Sequence, residues 1–201
     1  MMSTKSPHRA QPTAAEPGGA NTHDAADADA DDEGLRGARA IAKRNDTPPP
    51  RVEVLTKAKG PNFPAGRMLI SSPLEIAAVV ERIPKGRVLA MSDLRTSLAK
   101  SHKADYTCPL TTGIFLRIVA EAAEAERPLG KPVTPYWRVV RDDGSLLEKL
   151  PGGPTAQADR LTREGVNLLR FRSKPVVADM EGTAWPAPPF GKSMHAKQAA
   201  K

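Results

Sequence analysis

The sequence predicts a mainly helical α+β fold, a winged helix-turn-helix set between disordered N- and C-terminal tails. Three observations lead there. Three segments between Ser72 and Glu126 carry apolar residues at helical spacing, and a short polar turn separates the last two. An extended run, a tight-turn signal at Asp142-Asp143-Gly144 and a returning run follow, the pattern of a hairpin wing. Both ends of the 201-residue chain are short of large apolar side chains, which accounts for a hydrophobic share of only 39%.

Residues 1–50 are rich in Ala, Asp, Pro and Gly; Asp24 to Glu33 is mostly Asp and Ala, and Pro48-Pro49-Pro50 closes the segment. Such a composition buries too little apolar surface to offset chain entropy, so a disordered acidic tail is expected. Residues 51–71 read as a basic lead-in, punctuated by Lys57, Lys59, Gly60, Pro61, Pro64, Gly66 and Arg67. Order is expected from Ser72. Ser72-Pro73-Leu74-Glu75 is a capping box with proline at the first helical position. Leu74, Ile76, Ala77, Val79, Val80 and Ile83 give this helix its apolar side, and Pro84-Lys85-Gly86 stops it. A short apolar step, Arg87 to Met91, follows.

Ser92 and Asp93 are expected to cap a second helix ending near Lys100, with Leu94 and Leu98 inward. After the polar turn from His102 to Thr107, Pro109 opens a third helix ending near Glu126. Its wheel puts Leu110, Ile114, Phe115, Ile118, Val119 and Ala122 on one half. Thr112, Gly113, Leu116, Arg117, Ala120 and Glu124 fall on the other, outward half. The expected wing joins Pro132–Val140 to Ser145–Leu150. A last helix runs from about Thr155 to Glu164 with Gly165 as its stop, and Val166–Phe171 adds a short strand. The folded domain is thereby bounded at 72–172, and 173–201 is a flexible Pro-rich tail.

The formal net charge is +7. Residues 1–50 hold 6 Lys+Arg against 8 Asp+Glu, and the remainder holds 24 against 15. A basic folded part suits a polyanionic partner, although basic soluble proteins without one are common. The acidic segment either competes for that basic surface or serves solubility alone. One cysteine, Cys108, excludes an intramolecular disulfide and a multi-cysteine zinc site. His102, Asp105 and Cys108 fall at three-residue intervals without a fourth ligand, so neither metal nor cofactor is expected. No run approaches the roughly 18 apolar residues of a membrane helix. The N-terminus has neither the apolar core of a signal peptide nor the acid-poor character of a transit peptide, so the expected location is cytoplasmic. Nothing points to an obligate dimer, and a monomer is expected.

Five short motifs now identify a resemblance. Ile83-Pro84-Lys85-Gly86-Arg87-Val88 with Asp93-Leu94 comes first; then Pro135, Arg138, Val139 and Val140; then Gly144 and Leu146; then Gly152-Gly153; then Leu161 with Glu164-Gly165. In this order, at near-correct spacing, they resemble the DNA-binding domain of the O6-alkylguanine-DNA alkyltransferase family over roughly residues 73–170. Thr107–Phe115 and Pro135–Arg138 resemble an atypical bacterial branch, alkyltransferase-like proteins lacking the acceptor cysteine. The resemblance implies a winged helix of the alkyltransferase C-terminal type. It further implies duplex DNA, alkylated DNA included, as partner, a role in DNA repair or alkylation-damage recognition, a repair factor as a second partner, and a nucleoid-associated place in the cytoplasm.

The same resemblance defines a reactive corner, and this chain departs from it. The repair enzymes read Pro-Cys-His-Arg-Val where Pro135-Tyr136-Trp137-Arg138-Val139 stands, so Tyr136 takes the place of the alkyl-accepting cysteine and Trp137 that of its histidine. A phenol with a pKa of about 10 is a poor alkyl acceptor, and an indole accepts no proton. Glu164, at the position of the family's glutamate, is expected to make a structural bond, to Arg138. The implied pocket is lined by Met91, Tyr136 and Trp137, and is either open to an extruded base or filled by Trp137. Met91 and Gly113 stand where active members carry the tyrosine and arginine of base flipping. Gly113 either lets the helix approach DNA or relieves packing against a neighbouring helix. The expected DNA contacts are Thr111, Thr112, Gly113 and Arg117 on the third helix, with Arg87, Arg95, Arg138, Arg141 and Lys149 on phosphates. Three readings stay open: a non-catalytic DNA binder, a methyltransferase-type enzyme that uses Cys108 at its helix start, and a protein-interaction module.

Overall fold

A computed structural model of the chain describes residues 22–188, with side chains from residue 34. It is a mixed α/β structure. In chain order it contains α1 (Thr22–Asn45), β1 (Arg51–Leu55), β2 (Gly66–Ile70), α2 (Pro73–Val80), β3 (Leu89–Ala90), α3 (Met91–Ser101), β4 (Tyr106–Thr107) and α4 (Pro109–Glu126). Then come a 3-10 turn at Tyr136–Arg138, β5 (Val139–Val140), α5 (Gly153–Arg163), β6 (Leu168–Phe171), β7 (Lys174–Val177) and α6 (Met180–Thr183). Residues 1–21 and 189–201, the outer parts of the two expected tails, lie outside the described residues.

Local sequence sets several of these boundaries. The Ser72 hydroxyl accepts the Glu75 N–H at 3.3 Å and Pro73 follows it, so two of the donors left bare at the start of α2 are dealt with at once. The Glu75 carboxylate does not close the box on Ser72. It accepts from the Ser71 hydroxyl at 3.1 Å and meets His102 Nε2 at 2.6 Å. At α3 the expected caps do not act. No side-chain bond comes from the N-cap residue Ala90; the Ser92 N–H instead donates to Asp142 Oδ1 at 2.8 Å. A carboxylate from fifty residues away thus sits at the positive end of the helix.

Two apolar clusters hold the elements together. The larger joins Leu69, Ile76, Val80, Ile83, Leu89, Leu94, Leu98, Leu116, Val119, Tyr136 and Val139; the smaller joins Val88, Val140, Leu146, Leu161, Val166 and Val177. Trp137 packs against both. β3 and β5 pair in parallel, Leu89 with Val139 and Ala90 with Val140, which brings the Tyr136–Arg138 turn beside the start of α3.

Three expectations are corrected here. Disorder through residue 50 does not hold, because α1 docks on α4. Ala40 is buried, and Arg44 makes bonds of 2.6 and 2.9 Å to the two Glu126 oxygens. A Cβ at Gly37 would lie 2.8 Å from that of Ala125, so glycine is what lets the two helices approach. The lead-in is also structured: β1 pairs antiparallel with β2, and β2 runs parallel to β4. Finally, the domain does not end at residue 172. β7 pairs antiparallel with β6, and the Val88 N–H and C=O bond to Thr183 and Trp185.

The expected wing also changes place. Asp142-Asp143-Gly144 does turn the chain, with Gly144 N–H donating to the Arg141 carbonyl at 2.9 Å. The return is no strand, however: Leu146 and Leu150 enter the core, and Gln157 Oε1 takes the Leu147 N–H at 2.8 Å. The hairpin found downstream is β6–β7, turning at Arg172-Ser173.

Candidate nucleic-acid interface and the aromatic corner beside it

α4 is rotated from its expected setting. Thr112, Leu116 and Ala120 are buried, while Leu110 is 63% and Ile114 50% exposed. Thr112 tolerates burial because its hydroxyl donates to the Cys108 carbonyl at 2.7 Å, one turn back. The outward stripe is therefore Leu110, Gly113, Ile114 and Arg117, on successive turns. Thr111 is half-buried at its edge. Gly113 has open space where a side chain would project, so it relieves no packing. Arg117 is exposed and pairs with Glu121 at 2.6 Å.

A line of contacts joins the start of α4 to the turn after β5. The Thr107 hydroxyl donates to the Arg95 carbonyl at 2.8 Å, and the Arg95 guanidinium lies 3.8 Å from Asp142, which also holds Ser92. Arg141, next to Asp142, is exposed, as are Lys149 and Arg87; the Arg87 guanidinium donates to the Gly182 carbonyl. Four expected phosphate contacts, Arg87, Arg95, Arg141 and Lys149, thus keep at least part of their side chains in solvent.

Arg138, the fifth, is turned inward. Its side chain is 14% exposed, and its Nε and one terminal nitrogen grip both Glu164 oxygens at 2.8 Å, while the other donates to the Ile83 carbonyl. Glu164 also accepts the Trp137 indole N–H at 2.9 Å. Burial by itself raises the Glu164 carboxyl, but the hydrogen bonds from Arg138 and Trp137 and the Arg138 charge outweigh it, so its pKa lies below the ordinary value.

Tyr136 is 1% exposed. Its hydroxyl donates to Glu124 Oε1 at 2.9 Å, and burial, reinforced by that bond, pushes its pKa far above the phenol range. Arg160 completes the corner. It pairs with Glu124 at 2.8 Å and lies over both rings, 4.7 Å from the Trp137 centroid and 5.3 Å from that of Tyr136. The rings meet edge to face at 5.5 Å. Gln157 donates to the Trp137 and Val139 carbonyls at 2.9 and 2.7 Å and fixes the backbone between them. Met91 is half-buried and packs on the same core. The corner is thus occupied by its own side chains.

Sequence reasoning missed Glu124, Arg160 and Gln157. Glu124 carried a readable clue, since a carboxylate on a helix preceding a buried tyrosine is a natural acceptor. Arg160 carried none, because its partner is 36 residues away. Cys108 is buried and forms the N-cap of α4, its carbonyl taken by Thr112. Of the spaced trio, His102 is held by Glu75, and Asp105 accepts the Arg67 N–H at 2.7 Å. Among the described residues no group of three or more His, Cys, Asp or Glu is placed to hold a metal ion, and no helix is long and apolar enough to cross a membrane.

No protein-family model matches the chain, and no curated protein does. Among solved structures it is similar to S. pombe Atl1 in complex with damaged DNA containing O6-carboxymethylguanine, at 19% identity and a TM-score of 0.39. It is similar also to S. pombe ATL in complex with DNA, at 19% identity and a TM-score of 0.40. Each alignment covers 56% of this chain and 93% of the other.

Proposed function

We propose that this chain is a non-catalytic, alkyltransferase-like DNA-binding protein, built on a winged helix and serving DNA repair. The observation that carries the reading is Tyr136. It stands where the resemblance requires an alkyl-accepting thiol, and it is buried with its hydroxyl committed to Glu124. A neutral phenol in that setting is no nucleophile, and Trp137 beside it is only a donor. Binding is supported by the surface: the open backbone at Gly113, Arg117 on the same stripe, and Arg95 and Arg141 along the adjoining edge. Neutralising several phosphates makes affinity fall steeply with salt. The protein acts as a monomer at the nucleoid.

Fluorescence anisotropy with plain and O6-methylguanine duplexes, at two salt concentrations, tests this directly. Both duplexes bind, binding weakens with salt, and mass spectrometry finds no methyl group on the protein. A methylated Cys108 peptide would overturn the non-catalytic reading, and salt-insensitive affinity would overturn the surface. Leu110 and Ile114, apolar and outward on α4, favour a second reading, a protein-interaction module. It predicts no binding of the full chain to either duplex at low or moderate salt.

A further inference from the structure

We propose that the β6–β7 hairpin is a second contact to duplex DNA, with Arg170, Arg172 and Lys174 on phosphates and Phe171 bearing on a base step. This rests on the DNA-binding reading above and adds a surface that reading does not include. The register gives the hairpin two unlike faces. Leu168 pairs with Val177, and both pack into the smaller core, which anchors the hairpin. Leu169 opposite Val176 and Phe171 opposite Lys174 lie on the other face, where Leu169 is 61% and Phe171 64% exposed. The core needs neither of these two side chains.

The turn sharpens the tip. Arg172 and Ser173 both take positive φ, 48° and 66°, which makes a tight two-residue reversal without glycine. The Arg172 guanidinium sits 5.3 Å from the Phe171 ring centroid, so a cation and an aromatic face are presented together. From Val166 to Val177 there are three cations and no carboxylate. Lys174 pairs with Glu148 at 2.9 Å, an exposed contact that a phosphate can replace. Apolar wedges flanked by arginine and lysine are how proteins unstack and bend a duplex.

Position supports the same partner. Ser145 bridges to Val176, and the Val177 N–H donates to the Gly144 carbonyl at 3.0 Å. The hairpin therefore continues the turn that carries Arg141, and that turn leads through Asp142 and Arg95 to the start of α4. Arg95, Arg141 and the three hairpin cations thus lie along one connected path from the start of α4, with Asp142, Asp143 and Glu148 exposed among them.

The test compares the full chain with R170Q/R172Q/K174Q, F171A and Gly113→Glu by anisotropy on a plain duplex across a salt series. The triple variant is expected to bind on the order of tenfold more weakly at low salt, with the slope of log K against log salt reduced by about 2 to 3. F171A is expected to lose about fivefold or more without a change of slope. Far-UV circular dichroism and urea midpoints check that the variants fold. As a measurement independent of any loss, Phe171→p-benzoylphenylalanine should photo-crosslink to bound duplex. If the full chain binds no duplex, the DNA-binding reading falls and takes the hairpin with it. If it binds, Gly113→Glu abolishes binding, and the hairpin variants match the full chain with no crosslink at position 171, the hairpin assignment alone falls.

Discussion

Glu164→Ala is expected to destabilise the fold by about 3–5 kcal/mol, the usual cost of stranding a buried charge. Glu164 holds the Arg138 fork with two bonds of 2.8 Å, both side chains being at most 14% exposed, and it accepts the Trp137 N–H at 2.9 Å. Its removal leaves the guanidinium with the Ile83 carbonyl and leaves the indole N–H unpaired. With a urea slope of about 2 kcal/mol/M, the midpoint drops by about 2 M. Glu164→Gln, which keeps one acceptor but no charge, should fall between. Replacing the cation too, in E164A/R138M, should recover at least about 1 kcal/mol, since the stranded charge is gone. The pH dependence carries the same sign. The Glu164 pKa is depressed, so its stabilisation is present above the unfolded value of about 4.3 and disappears as the pH falls through the folded value. A cost below about 1 kcal/mol for E164A, or no recovery in the double variant, would refute the claim that this carboxylate is structural.

Three further outcomes follow from other parts of the molecule. Gly113→Ala should stabilise by about 0.5–1 kcal/mol in urea, since its Cβ enters open space inside a helix, while weakening duplex affinity in anisotropy. Arg44→Ala should cost about 2–4 kcal/mol in urea, at the lower part of the range for buried pairs because Lys131 stays 3.8 Å from Glu126. Tyr136 should resist ionisation in absorbance titrations until the protein unfolds. Its raised pKa contributes stability that is complete below about pH 10 and is lost above it, and Tyr136→Phe should cost about 1–3 kcal/mol at neutral pH.

How much of this was legible depends on whether the signal was local. α4 has the boundaries its sequence predicts, Pro109 to Glu126, because proline fixes a helix start wherever the helix lies. Its rotation was not legible. Apolar residues surround it, so the buried side is chosen by neighbours such as α1 rather than by the wheel. α1 was hidden for the same reason, since Ala40 and Arg44 gain partners only once α4 is in place. The true hairpin turns on Arg172-Ser173, a pair without glycine or asparagine, so composition did not mark it. The corner lay between these cases. The substitutions at Tyr136 and Trp137 were visible, but the carboxylates that accept their hydrogen bonds come from positions 124 and 164.

Those two carboxylates explain why the corner is closed to a base. A phenol and an indole N–H each need an acceptor when buried, and Glu124 and Glu164 supply one apiece. Arg160 and Arg138 then balance the two charges, so every member of the network is satisfied by the others. An extruded guanine would have to lift Arg160 from the Trp137 face and leave Glu124 with the Tyr136 hydroxyl and, as its one remaining cation, Arg127 at 3.1 Å. Stacking returns about 1–3 kcal/mol per base, while breaking a mostly buried pair costs about 3–5. The balance is against insertion. Plain and O6-methylguanine duplexes should therefore bind within about threefold of each other, the difference coming from how easily each bends. A preference above about thirtyfold for the lesion, lost on Arg160→Ala, would mean that the corner opens after all.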